Sequence, residues 1–181
     1  MTVALALSLT VICGPADTWT PVVLAPEAAR ADTVAVRLFE EGMAFDAFLE
    51  ATERRRDTWH DNYATAQIPA ELAERARAVS GDWRLLVVAI DACGDSANTI
   101  PYLARFVDVV DGLEMRVVEP DVGRPVMDAH LTPDGRGATP TVVVLNEAGE
   151  NVGCWIERPA GIQSWWIVNN EELSGRCLLY T

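Results

Sequence analysis

The sequence predicts an α/β domain: a mixed central sheet flanked by helices, with a helical N-terminal extension. Three observations predict it. Leu85-Leu86-Val87-Val88-Ala89-Ile90 is a short apolar run, rich in β-branched residues, with no polar alternation. That is the pattern of a strand covered on both faces. A second such run, Thr141 to Leu145, is followed by Asn146-Glu147-Ala148-Gly149-Glu150 and a returning strand from Asn151 to Glu157, which reads as an antiparallel hairpin. Between the two runs lies a helix, a strand (Leu113 to Val118) and a short helix. A strand, a helical crossover and a second strand make a parallel pair, so parallel and antiparallel pairings share one sheet.

The elements follow in order. From Val34 to Ala66 the pattern is helical, and Phe39, Met43, Phe45, Phe48 and Leu49 fall at spacings that let them share one face. Arg54-Arg55-Arg56 reads as a solvated helix face. Trp59 and Tyr63 are expected to pack this region on the main domain. Pro69-Ala70-Glu71 opens a helix, with proline at the first helical position and an acid in the first turn. It runs through Ala78 and stops at Ser80-Gly81-Asp82. Ser96 to Val110 is a helix with an apolar stripe of Ile100, Leu103, Phe106, Val107 and Val110, and Pro101 predicts a kink in it. Asp111-Gly112 ends that helix, and Pro120-Asp121 closes the strand that follows. Arg124 to Leu131 is a short helix carrying Val126, Met127 and Leu131, and Thr132 to Gly137 is a loop. The tail from Ile162 reads as an amphipathic closing helix in which Trp165, Trp166, Ile167 and Leu173 pack inward. Residues 1–32 are assigned to an extension, linker or signal segment, and residues 33–181 to the domain.

Charge narrows the partners. Against 14 basic residues stand 27 acidic ones, a formal charge of −13. Such a chain repels nucleic-acid phosphate and anionic membrane, so neither is expected as a partner. No apolar run reaches the ~18 residues of a membrane-spanning helix. Met1 to Cys13 has the apolar character of a signal-peptide core, but no Lys or Arg precedes Arg30. A cytoplasmic location is expected, with export as the alternative. The four cysteines, Cys13, Cys93, Cys154 and Cys177, form no C-x-x-C pair, and His60 and His130 are the two histidines. No metal site and no cofactor are expected from that spacing. Cys154 and Cys177 are expected to be ordinary thiols, or a disulfide if the protein is exported. His130 is expected to be solvated rather than catalytic. The oligomeric state is not specified.

The chemistry concentrates at Trp83 to Pro101, where a strand runs out at Cys93, passes Gly94-Asp95 and enters a helix. A helix N-terminus favours an anion at such a sulfur by about 1 kcal/mol or more. Asp95 opposes that charge.

The order of elements, with cysteine ending the first core strand, resembles the thioredoxin fold. Cys93-Gly94-Asp95-Ser96 occupies the place of the redox C-x-x-C. Pro101 stands where thioredoxins kink the active-site helix, and Thr139-Pro140 where the family has its cis-proline. The Cys-Gly-Asp turn is similar to a bacterial group of thioredoxin-like proteins. The resemblance implies a site made of Cys93, Ser96 and Pro140, with a substrate groove along Ala92, Gly94, Asp95 and Thr139. It also implies a protein or low-molecular-weight thiol or disulfide as the partner. The departures are chemical. Ser96 replaces the resolving cysteine, Ala92 replaces the family's tryptophan, and Val87 falls where the family's buried acid would be. A serine cannot resolve a mixed disulfide, so intramolecular dithiol exchange is excluded at this site. Three readings stand: a monothiol nucleophile, a redox-inactive groove that holds an extended peptide, or a buried cysteine that serves only packing.

Overall fold

The computed structural model describes residues 30–173. The expectations for the segment Met1 to Cys13, for the linker up to residue 29 and for Cys177 lie outside those residues.

Asp32 caps the first helix, α1 (Thr33–Glu41), its Oδ1 accepting from Ala35 N at 2.9 Å. A two-residue edge strand, β1 (Met43–Ala44), leads into α2 (Phe45–Ala51), α3 (Arg56–Thr65) and α4 (Ala70–Arg77). The α/β core follows as β2 (Trp83–Val88), α5 (Gly94–Asp108), β3 (Leu113–Val118), α6 (Pro120–Ala129), β4 (Thr141–Leu145), β5 (Asn151–Ile156) and α7 (Ala160–Leu173). The sheet order is β1-β3-β2-β4-β5, with β2 and β3 parallel and the other pairs antiparallel. This is the predicted mixed sheet.

Alternation along the strands divides the core in two. Leu85, Val87, Met115, Val117 and Val142 face one side and pack with Phe45, Phe48, Leu49 and Trp59 of α2–α3 and with Ala97, Ile100 and Ala104 of α5. Leu86, Val88, Val118, Val143 and Leu145 face the other and pack with Ala35, Leu38 and Phe39 of α1 and with Val126 and Met127 of α6. The second layer is tightest at Gly123. A Cβ there would stand 2.5 and 2.7 Å from the two methyls of Val88. Gly123→Ala is therefore expected to lower unfolding stability by about 1–3 kcal/mol, the usual range for overpacking, read as a reduced urea midpoint.

The 34–66 region departs from one helical face. Phe39 packs on the α6 side, Phe45, Phe48 and Leu49 pack on the opposite side, and Met43 is exposed on the edge strand. Two extended residues pairing with β3 (Met43 with Val117) carry the chain from one face to the other. Two residues are too few to show a strand period. At α6, Pro120 opens the helix at its first position, with Glu119 extended as the cap, rather than closing the strand, and Leu131 lies beyond the helix and is exposed. Pro101 leaves α5 continuous. Proline removes the amide that would bond Ala97 O, and Asn62 Nδ2 on α3 donates to that oxygen at 2.9 Å.

The closing helix corrects the reading of its tryptophans. Gln163 is the buried residue among its described side chains, while Ile162, Trp165, Ile167 and Val168 are exposed, Val168 at 80%, and the Leu173 side chain lies outside those described. Trp166 alone of the pair has a packing role, lying under Arg158, whose Cζ sits 4.6 Å from the ring centre. Cys154, opposite Val143 in the β4–β5 pairing, is disulfide-bonded rather than the ordinary thiol expected.

Candidate functional site

The site is where β2 ends and β4 begins. Antiparallel pairing sets Val88 opposite Thr141, so the residues just after β2 and just before β4 meet at one end of the sheet. After Ala89 the chain turns, Cys93 N donating to Ile90 O at 3.0 Å, and enters α5. Cys93 is the N-cap of α5, with extended backbone and its Sγ accepting from Ser96 N at 3.4 Å. The sulfur thus takes the capping place that a serine or aspartate oxygen usually holds. That is why the helix begins at Gly94, two residues before the predicted start. Cys93 is a half-buried free thiol, and its Sγ lies 3.3 Å from Thr139 O, to which it donates. The Thr139-Pro140 peptide is cis and Pro140 is fully buried. The structure therefore brings Cys93, Ser96, Thr139 and Pro140 together. Ser96 is fully buried, and its Oγ has no hydrogen-bond partner among the described residues. Val87, at the position of the family's acid, is fully buried in the apolar layer that includes Ala97, so no carboxylate lies there.

The Arg54–Arg56 triplet is not a helix face. It forms the turn into α3, and two of its three side chains bind backbone. Arg56 Nη1 donates to Glu50 O and Thr52 O at the end of α2, at 3.0 and 2.8 Å. Arg55 has left-handed backbone (φ 53°), and its Nε donates to Ala92 O at 2.8 Å. Its guanidinium lies over Gly94, the Cζ 3.6 Å from where a Cβ would be. The same segment holds Asp91, whose Oδ2 accepts from Arg54 N at 2.8 Å and Glu53 N at 3.0 Å. Desolvation works against that carboxylate, but the N–H groups of Arg54, Glu53 and Ala92 outweigh it and hold its pKa below the ordinary 3.8. Trp59, buried beneath, donates from Nε1 to Asp91 O at 2.9 Å. The residues just before the thiol, Asp91 and Ala92, are thus fixed from the α2–α3 segment.

On the other flank, Asp95 is neutralised. Arg158 Nη2 donates to its Oδ2 at 2.7 Å, and Arg158 Nη1 approaches Glu157 Oε1 to 3.1 Å without hydrogen-bond geometry. Glu157 N donates to Pro140 O at 2.7 Å, and Arg136 Nη2 reaches Glu157 Oε2 at 3.3 Å. Arg55 and Arg158 are absent from the sequence-based site. Nothing local marks Arg158, since an acid in the first turn of a helix, as Asp95 is, is already favoured by the free N–H groups there. Nor does anything local mark Arg55, whose role depends on a turn between α2 and α3. The His130 side chain bonds Val126 O and Asn151 at the end of α6 and makes no hydrogen bond to the Cys93 turn among the described residues. No cluster of three or more potential metal ligands occurs among the described residues, and no helix among them is long and apolar enough to cross a membrane.

A family model described as thioredoxin matches residues 42–172. The fold is similar to that of a Pseudomonas aeruginosa protein of unknown function, with TM-score 0.58 and 20% identity over 77% of this chain and 86% of the other. It is also similar to an HIV epitope-scaffold, with TM-score 0.59 and 22% identity over 77% and 88%. No curated protein matches the chain.

Proposed function

Because the chain belongs to the thioredoxin family and carries Ser96 where the second redox cysteine would stand, we propose that it performs thiol–disulfide exchange through Cys93 alone. The observation that carries this reading is the half-buried Cys93 thiol at the start of α5, facing Thr139 across from Pro140. Cys93 loses its proton to solvent, and the thiolate attacks one sulfur of a partner disulfide. A new S–S bond forms to Cys93, the partner's own S–S bond breaks, and its other sulfur leaves as a thiolate with the bonding pair. A second thiol, low-molecular-weight or on a protein, then attacks the mixed disulfide, takes the partner's sulfur into a new disulfide and returns Cys93 as thiolate. Ser96 contributes no sulfur. Its unpartnered hydroxyl supports a role as a hydrogen-bond donor to the thiolate.

Reaction of the reduced full chain with a symmetric small disulfide, read by mass spectrometry on the Cys93 peptide, is expected to show a stable adduct. Its decay is expected to be first order in added thiol, since no neighbouring thiol releases it. An adduct that decays independently of added thiol, or a Cys93 modified only after denaturation, would overturn the reading.

A second reading, a redox-inactive groove for an extended partner chain, draws on one observation. The half-buried Thr139 makes no hydrogen bond through its N–H among the described residues, leaving a donor beside Pro140 for a partner's backbone. Partner capture that survives Cys93→Ser favours this reading over exchange.

A further inference from the structure

We propose, resting on the exchange reading above, that Arg55 is a specificity residue. It selects a small disulfide that carries a carboxylate close to its sulfur atoms. The two flanks of the Cys93 turn differ in how their charges are used. On one, Arg158 is spent on Asp95 and Glu157. On the other, Arg55 engages Ala92 O through Nε alone, and its two terminal nitrogens have no partner among the described residues. Those nitrogens stand 3.8 and 3.9 Å from the Cβ position of Gly94, the residue bonded to Cys93. Glycine at 94 leaves the space open. Asp91, the acid on the same side, has Oδ2 held by two backbone N–H groups.

A guanidinium anchored by one nitrogen and open at the other two presents the fork that a carboxylate accepts in bidentate fashion. The backbone of Arg55 sits in the left-handed region (φ 53°), where a non-glycine residue is uncommon and held by its surroundings. Ser96, whose backbone N–H bonds the sulfur, adds a fully buried hydroxyl without a partner, a second polar group unclaimed by the fold. The Cys93–Ser96 turn therefore has two donors that the resting protein leaves unused, the Arg55 fork over Gly94 and the Ser96 hydroxyl. The size of the ligand follows from charge. A body at −13 repels an extended acidic surface, whereas one carboxylate on a small molecule meets only the local cation.

The test compares three disulfides that differ in charge: dithiobis(nitrobenzoate), dianionic; dithiodipyridine, neutral; and cystamine, dicationic. Rates of Cys93 modification are read by mass spectrometry on the full chain at low salt. Arg55→Gln is expected to slow the dianionic probe about five- to tenfold and the neutral probe less than about twofold. Cystamine is expected to react no slower, and the dianionic effect to shrink as salt is raised. Arg55→Lys is expected to recover only part of the preference, because it keeps the charge but has neither the fork nor the Nε anchor. Equal slowing of all three probes would overturn the assignment, since Arg55 would then act on the thiol or the loop alone. An unchanged dianionic rate would also overturn it, and an acidic peptide disulfide that outruns the dianionic probe would overturn the small-ligand class. If the wild-type Cys93 reacts with none of the probes, the exchange reading itself fails, a result distinct from loss of charge preference.

Discussion

Ser96→Cys is expected to change the lifetime of the Cys93 mixed disulfide by at least about a hundredfold. Cys93 caps α5, and residue 96 gives its backbone N–H to the Cys93 sulfur at 3.4 Å. The two side chains therefore sit within the same first turn. A thiol introduced at position 96 attacks intramolecularly, where a well-placed group acts at an effective concentration far above that of millimolar thiol in solution. Atoms balance as a new disulfide between Cys93 and the introduced thiol, with release of the captured thiol. The release rate is expected to rise with pH, because the new thiol must lose its proton and Val87 supplies no base beneath it. The substitution is also expected to be well tolerated. The Ser96 hydroxyl is buried without a partner, a state that costs about 1–3 kcal/mol. A thiol of similar shape has less to lose by burial. The measurement is release of a trapped adduct without added thiol, with insulin reduction as a second readout. Release no faster than in the wild type would mean that the two positions cannot meet, and the monothiol account of Ser96 would fall with it.

What could be read in the sequence was whatever local pattern decides. Leu85 to Ile90 and Thr141 to Leu145 are continuous apolar runs, and burial on both faces is the arrangement that suits them. Cys93, Ser96, Thr139 and Pro140 could be placed through the resemblance to the thioredoxin fold, and the antiparallel pairing of β2 with β4, which sets Val88 opposite Thr141, is what brings them to one end of the sheet. The tertiary contributions could not be read. The polar Gln163 turns inward on α7 while Trp165 and Val168 turn outward, against the helical pattern assumed for the tail. Pro120 reads equally as a strand stop and as a helix start, and only the extended Glu119 before it decides. Arg55 and Arg158 come from segments 38 residues before and 65 residues after Cys93. Their value lies in which backbone oxygen or carboxylate they reach, and that depends on the fold.

Trp59→Ala is expected to be the most destabilising single change near the site. Trp59 is fully buried, packs edge-on against Phe48 at 5.1 Å and donates to Asp91 O. Truncating a buried tryptophan costs about 3–5 kcal/mol, a large share of the roughly 5–15 kcal/mol that holds an average domain. The Asp91 carbonyl also loses its donor. The urea midpoint is expected to fall with little change in slope, and a shift equivalent to less than about 1 kcal/mol would contradict the packing described. Trp59→Phe separates the two parts of the effect. It keeps much of the apolar volume and removes the indole N–H, so about 1–2 kcal/mol is expected for the lost hydrogen bond. The reactivity of Cys93 is expected to change less than about threefold in that variant. Asp91 stays bound to the backbone of Glu53 and Arg54, and Ala92 O stays bound to Arg55. If Trp59→Phe instead slows Cys93 as severely as Trp59→Ala weakens the fold, the indole alone sets the loop. Modest change would show that the anchoring is shared along the α2–α3 segment. On that outcome the helices before β2 are a wall of the thiol site, and the chain needs them for chemistry as well as for its core.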